Sequence, residues 1–214
     1  MTRGEMVGRV QQFLGLQQID AYNEVPLVQD LLYRGTIDLL ARTRCVVRCV
    51  HLHTQAGVDT YTLDHSILSL VDVDDGATRR ARRDQTSGPS FTLIRSDILR
   101  LNPPPDDGVV DVWAVLRPGK MDSDDDSPGD ENFGAIPEEF QDAIELYTLW
   151  RAADYTDNNV SQDGERYRML YEGQDGKGGR LREIRQLVNK RGTARAAGRR
   201  TTLTPLATRD AWVG

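Results

Sequence analysis

The run Val109-Val-Asp-Val-Trp-Ala-Val-Leu116 constrains this chain more than any other stretch. Strand alternation puts Val110, Val112, Ala114 and Leu116 on one wholly apolar face, with Val109, Asp111, Trp113 and Val115 on the other. Such a strand has to be covered. Its borders are sharp: Pro103, Pro104 and Pro105 donate no backbone hydrogen bond, Asp107-Gly108 supplies a tight turn inward, and Pro118-Gly119 stops the strand. Asp122, Asp124, Asp125, Asp126, Asp130 and Glu131 follow with no base among them, a composition too polar and self-repelling to pack, so 118–136 reads as an acidic linker. Pro137 then suits the first position of a helix, with Glu138 and Glu139 against the positive end of its dipole. Phe140, Ala143, Ile144, Tyr147 and Trp150 recur at helical spacing and form one apolar face.

Ahead of that stretch, Met6, Val7, Val10, Phe13 and Leu14 mark a short amphipathic helix. A second helix runs from near Pro26 to about Arg42, with Gly35 weakening it by up to about 1 kcal/mol relative to Ala. Arg44 to Thr54 reads as a strand, Val58 to Leu63 as its hairpin partner, and Ile67 to Val73 as a third strand. Asp74 to Pro89 loses its apolar residues and gains Arg79, Arg80, Arg82 and Arg83, which predicts a long exposed loop. Phe91 to Ile94 resumes the sheet, and Ser96 to Leu101 carries it to the prolines. Beyond Tyr155, a second C-terminal helix holds Tyr167, Leu170 and Tyr171, and Leu181, Ile184, Leu187 and Val188 mark a third. The predicted class is α+β, a helical bundle of N- and C-terminal helices around a central small antiparallel β domain, with an extended C-terminal arm. The expected divisions are 1–43 and 137–190 for the helices, 44–117 for the β domain of about five strands, 118–136 for the linker and 191–214 for the arm.

Charge is unevenly distributed. From Lys177 to Arg209 ten bases face one acid, Glu183, although the 214-residue chain carries a net charge of −6. That balance argues against a surface that grips nucleic acid everywhere, but not against a local basic one. A basic extension poor in apolar residues gains stability only by docking on something else. Fully extended, the linker spans at most about 60 Å and the segment after Arg191 about 75 Å, enough to reach a neighbour. Met1-Thr-Arg-Gly-Glu is not followed by the apolar run of a secretory signal and no stretch is long enough to span a bilayer, so a soluble protein made in the cytoplasm is expected.

Motifs for chemistry are sparse. Cys45 and Cys49, about 13 Å apart on a strand, cannot pair with each other and read as reduced core residues. His51 and His53 share their face. Only residues two apart on a strand, at about 6.6 Å, can share a metal about 2.1 Å from each ligand, so the cysteines do not join the histidines without a bulge, and no metal site or cofactor is expected. Asp64-His65-Ser66 lacks a nucleophile elbow, so no catalytic residue is assigned. Gly173-Gln-Asp-Gly-Lys-Gly fails the phosphate-loop spacing and reads as a hinge. The acids of 122–131 lack the alternation of a calcium loop.

In order and spacing, one set of features is similar to the head-to-tail adaptor (neck or connector) proteins of tailed double-stranded DNA bacteriophages. The set comprises Tyr61-Thr-Leu ahead of Ile67 and Val71, Phe91-Thr-Leu, Leu99-Arg-Leu-Asn-Pro-Pro-Pro, Val112 to Leu116, Pro118, an acidic gap and Ile136-Pro-Glu-Glu-Phe. It continues with Ala143-Ile-Glu-Leu-Tyr, Trp150-Arg-Ala-Ala-Asp and Tyr167 to Tyr171. The likeness covers roughly residues 1–175; the arginine-rich loop at 78–88 and the basic tail after Lys190 depart from it. The resemblance implies a non-enzymatic virion component, a subunit of a twelvefold ring between the portal protein and the next neck or tail protein, with genomic double-stranded DNA in its bore and no membrane. Within it, Phe140, Ile144, Tyr147, Trp150, Tyr167 and Leu170 are expected in the helical core. Arg180, Arg182, Arg185, Lys190, Arg191, Arg195, Arg199 and Arg200 are expected on the portal or an adjoining subunit. Arg79, Arg80, Arg82 and Arg83 are expected to contact DNA or a partner. An alternative reading is a DNA-binding or packaging accessory protein using that loop and tail, and a third is a metal-dependent hydrolase using His51 and His53.

Overall fold

The structure is a computed structural model and describes residues 1–13, 21–63, 66–74, 79–82, 88–155, 161–174 and 178–198. It is α+β, as expected, and its described residues divide into two units: Met1–Cys45 with 118–198, and Val46–Arg117.

The first unit holds the helices α1 (Arg3–Phe13), α2 (Ala21–Thr43), α3 (Asp142–Tyr155), α4 (Ser161–Glu172) and α5 (Arg180–Gly198). Apolar spacing explains the centre of each. In α2, Val28, Leu31, Leu32, Leu39 and Leu40 are buried, and the buried Thr36 and Thr43 hydroxyls donate to the carbonyls of Leu32 (2.9 Å) and Leu39 (2.7 Å) one turn back. Against α2 lie α1, α3 and α5. A close approach to α3 falls at Gly35, where a Cβ would stand 3.0 Å from Tyr147 Cδ1 and 3.3 Å from the Ile144 carbonyl oxygen. Gly35 is thus a contact with α3 rather than the mere weak point its helix propensity suggests. The helix also starts at Ala21, ahead of Pro26, while Pro137 precedes a 3₁₀ turn (Glu138–Phe140) and α3 begins only at Asp142.

Of the residues expected in the helical core, Phe140 and Ile144 are fully buried and Tyr147 and Trp150 are half-buried. Tyr167 is half-buried as well, and one residue departs: Leu170 is 48% exposed, and Tyr171 occupies the interior instead. Its ring meets Tyr147 and Trp150 with centroids 5.6 Å and 6.3 Å away, and its hydroxyl donates to Asp38 Oδ2 at 2.7 Å. Both Leu170 and Tyr171 fit a helical stripe; a buried phenol with a carboxylate to accept its hydrogen bond decides between them. Burial, then the Asp38 charge, push the Tyr171 phenol far above its ordinary value. Phe13, expected on the apolar face of α1, is 65% exposed, and Leu14 lies outside the described residues.

Seven strands make up the second unit: β1 (Arg48–Thr54), β2 (Thr60–Thr62), β3 (Ile67–Asp74), β4 (Arg79–Arg82), β5 (Ser90–Arg95), β6 (Ile98–Asn102) and β7 (Gly108–Leu116). Their order is β1-β7-β3-β4-β5-β6-β2. The strand with the apolar face, β7, is flanked by β1 and β3, and its Val110, Val112 and Ala114 enter a core with Tyr61, Leu63, Ile67, Val73, Phe91, Leu99 and Leu101. The expected β1–β2 hairpin does not form: β1 pairs with β7 and β2 with β6, at opposite ends of the order. Nor is 74–89 all loop, since β4 pairs antiparallel with β3 and parallel with β5. Five antiparallel strands were too few, and the sheet is not purely antiparallel.

Two predictions follow from the packing of the helices. Gly35→Ala gains helix propensity, yet crowding Tyr147 and the α3 backbone outweighs it, so thermal unfolding should show a net loss of about 1 kcal/mol. Because the folded state keeps the Tyr171 proton while the unfolded chain loses it near pH 10, stability should fall above that pH, by up to about 1.4 kcal/mol per pH unit from this group. Denaturant titration should show that decline shrink in Tyr171→Phe.

Candidate interaction surfaces

The acidic segment is packed, contrary to its composition. Residue by residue, its oxygens meet the N-terminus of α1: the Arg3 and Gly4 amides donate to the carbonyls of Asp126 (2.7 Å) and Asp124 (3.0 Å). The buried Arg3 guanidinium donates to the Met121 carbonyl (2.9 Å) and to Asp124 Oδ1 (2.7 Å). Asp126 Oδ2 accepts from the amides of Asp122 and Ser123, and Asp130 Oδ2 from Ser127. Met121 and Ile136 are buried. An unsatisfied helix N-terminus and a cation therefore receive charge that would otherwise repel itself. Folded onto α1 in this way, the segment is not an arm, and its carboxylates cap backbone rather than gather as a cation loop.

Several predicted docking arginines are likewise engaged within the first unit. Arg180 is one of them: its Nε lies 2.8 Å from Asp142 Oδ2, and its Nη atoms donate to Glu183 (2.9 Å) and to the Glu139 carbonyl (2.6 Å). Burial alone would lower the Arg180 pKa, but the bonds to Asp142 and Glu183 outweigh it and the net shift is upward. Arg185 Nε donates to the Arg42 carbonyl at 2.9 Å, near the end of α2. Arg191 pairs with Glu139 at 2.6 Å and sits over the Phe140 ring. Arg182 and Lys190 are exposed, and Arg182 has no polar partner among the described residues. Helix α5 continues to Gly198, so 191–198, expected as extended tail, is helical. Arg195 lies in that helix; Arg199 and Arg200 lie outside the described residues.

The arginine-rich stretch divides similarly. Arg80 is only 4% exposed and donates to the Pro103 carbonyl, which makes it a structural residue and not a contact for DNA. Arg79 and Arg82 belong to β4, and Arg83 is outside the described residues.

An acidic cleft in the first unit has no counterpart among the sequence expectations. Glu5, Gly8, Arg9 and Gln12 of α1 line it with Glu138, Glu139 and Asp142. Beside it Glu145 is mostly buried; burial raises its pKa, and Arg9 at 3.5 Å opposes the shift. Only the tertiary approach of α1 to α3 brings Glu5 to Glu138, Glu139 and Asp142, more than 120 positions further along the chain.

In the second unit, Cys49, His51 and Asp111 bring one ligand atom each within 4.8 Å of the others. Cys45 precedes β1 and is buried, and His53 is exposed. The strand geometry of one element alone misses Asp111, which arrives from β7.

A family model described as SU10 adaptor protein matches residues 1–206. The chain belongs to the SU10 adaptor protein family. The resemblance to head-to-tail adaptors is thereby borne out, and the match covers both stretches that seemed to depart from it, 78–88 and the tail as far as 206. No curated protein matches this adaptor. A solved chain from the "neck of empty GTA particle computed with C6 symmetry" is 15% identical, over 78% of this adaptor and 91% of that chain. At a TM-score of 0.26 it carries no argument about the adaptor's fold. None of the adaptor's described helices is long and apolar enough to cross a membrane.

Because Arg180 holds three partners and Arg182 none, their substitutions should separate. Arg180→Ala should cost about 1–2 kcal/mol in thermal unfolding, whereas Arg182→Ala should stay within about 0.5 kcal/mol. Equal effects would show that α5 is not held to α3 in this way.

Proposed function

We propose that this adaptor is a virion neck subunit, one copy in a twelvefold ring that joins the portal protein to the next neck or tail component. Genomic double-stranded DNA passes through the bore. Family membership over residues 1–206 is the observation that carries this reading. The ring is assembled in the host cytoplasm and its place is the neck of the virion. A net charge of −6 suits a wall past which DNA moves, since gripping phosphates takes a dense array of cations.

A cyclic ring is built on heterologous contacts, in which two different surfaces of one chain meet on neighbouring copies. The adaptor carries a complementary pair: the acidic cleft of α1 and Glu138–Asp142, and the basic chain beyond Gly198 with Arg199, Arg200 and Arg209. Docking on an adjoining subunit or the portal therefore falls to 199–214 with the exposed Arg182, while Arg180, Arg185 and Arg191 hold the subunit itself together.

Deleting residues 199–214 tests this division. The truncated protein should melt within about 2 °C of the full chain, since the described core is built from residues up to 198. It should nevertheless fail to join portal-bearing particles in a sedimentation assay. A truncated chain that is incorporated as well as the full one overturns the assignment of docking to this segment.

A further inference from the structure

We propose that Cys49, His51 and Asp111 form a three-ligand site for zinc, or a divalent transition-metal ion of the same borderline class. The inference stands independently of the neck reading.

Three features place it. Cys49 and His51 are two apart on β1 and so project from the same face of the sheet, and antiparallel register sets His51 directly opposite Asp111 of β7. Their ligand atoms lie within 4.8 Å of one another, with His51 Nδ1 and Asp111 Oδ1 at 2.7 Å. An ordinary His–Asp hydrogen bond accounts for two of these groups. Cys49 adds a thiol within 4.8 Å of both, and thiolate, imidazole and carboxylate together are a donor set suited to zinc.

The distances are compatible with coordination. Tetrahedral zinc with bonds of about 2.0–2.3 Å separates its ligands by about 3.4–3.7 Å. The His51–Asp111 pair therefore opens by about 1 Å and the thiol closes by a similar amount, movements within side-chain rotation on a half-exposed face. Cys49 binds as thiolate, its proton released to solvent, and the fourth position is left to water. Since β1 ends the sheet order and, among the described residues, is paired only with β7, a metal bonded to both strands clamps an edge strand to the sheet.

The test uses the full chain, stripped of metal and kept reduced. Equilibrium dialysis against zinc chloride should give one zinc per chain, and cobalt(II) substituted for zinc should show the near-ultraviolet band of a cobalt–thiolate bond. Cys49→Ser should abolish that band, and His51→Gln and Asp111→Asn should each weaken zinc binding about tenfold or more, while His53→Gln leaves it unchanged. Circular dichroism of each variant separates a lost ligand from a lost fold. Saturating zinc should also raise the melting temperature of the native sequence and not of Asp111→Asn. Absence of zinc from the native chain, or zinc binding indifferent to these three substitutions, overturns the proposal. So does loss of binding in His53→Gln with none in His51→Gln.

Discussion

The missing side chain at Gly35 is the constraint on which the helical unit depends. It lets α2 lie on α3 closely enough for a Cβ to fall 3.0 Å from Tyr147 and 3.3 Å from the Ile144 carbonyl. At such a separation the flanking side chains, not the backbones, fill the remaining volume, and they are aromatic: Tyr147, Trp150 and Tyr171 meet edge-on and tilted beside the crossing. The Tyr171 hydroxyl reaches Asp38, one turn of α2 beyond Gly35, and Arg42 joins Asp38 and Glu172 one turn further. Arg185 then bonds the Arg42 carbonyl and brings in α5. A chain of contacts along one helix thus gathers three others, each added where the previous contact has already fixed the geometry.

Periodicity made most of that core legible. Val28, Leu31, Leu32, Leu39 and Leu40, and likewise Phe140, Ala143 and Ile144, are buried where helical spacing puts them, and Val110, Val112 and Ala114 where strand spacing does. What periodicity could not decide was the partner of a residue. Leu170 and Tyr171 are neighbours on a polar helix, and hydrophobicity favours the leucine; a carboxylate contributed from 133 positions away favours the tyrosine. The β1–β2 hairpin failed for the same reason. A turn at Ala56-Gly57 makes a local pairing possible, but β7 offers β1 seven residues of ladder, where β2 has only three in all. The arginine-rich β4 was invisible because its strand identity comes from pairing with β3 and β5, not from any apolar alternation of its own.

The acidic segment shows how composition misleads. Six carboxylates without a base repel one another in an isolated peptide, and on that ground 118–136 reads as a linker. Folded, the segment lies against what α1 lacks: acceptors for its first amides and a counter-charge for Arg3, which is buried. Electrostatic repulsion within the segment is a sum over its own charges, whereas its stability depends on donors that enter from Arg3 and Gly4. Nothing in 118–136 alone indicates those donors. The clue that was available is Arg3 itself, a cation at the start of an amphipathic helix with no acid one turn along to pair with it.

The basic residues of the C-terminal third call for the converse correction. Counted along the chain they form one block, but helix geometry divides them by direction. Arg180 and Arg191 turn toward Glu139 and Asp142, and Arg185 toward the end of α2, so each is neutralised or hydrogen-bonded at home. Arg182, on another side of the same helix, meets no polar partner among the described residues. A cation already held by a carboxylate at 2.6–2.8 Å contributes little to a second partner, because the first bond must be given up to make the second. The charge available for docking is therefore smaller than the composition suggests and is displaced toward the end of the chain. Among the described residues, Glu5 and Glu138 in the cleft of α1 make no ion pair, so an approaching basic segment would meet them without displacing one.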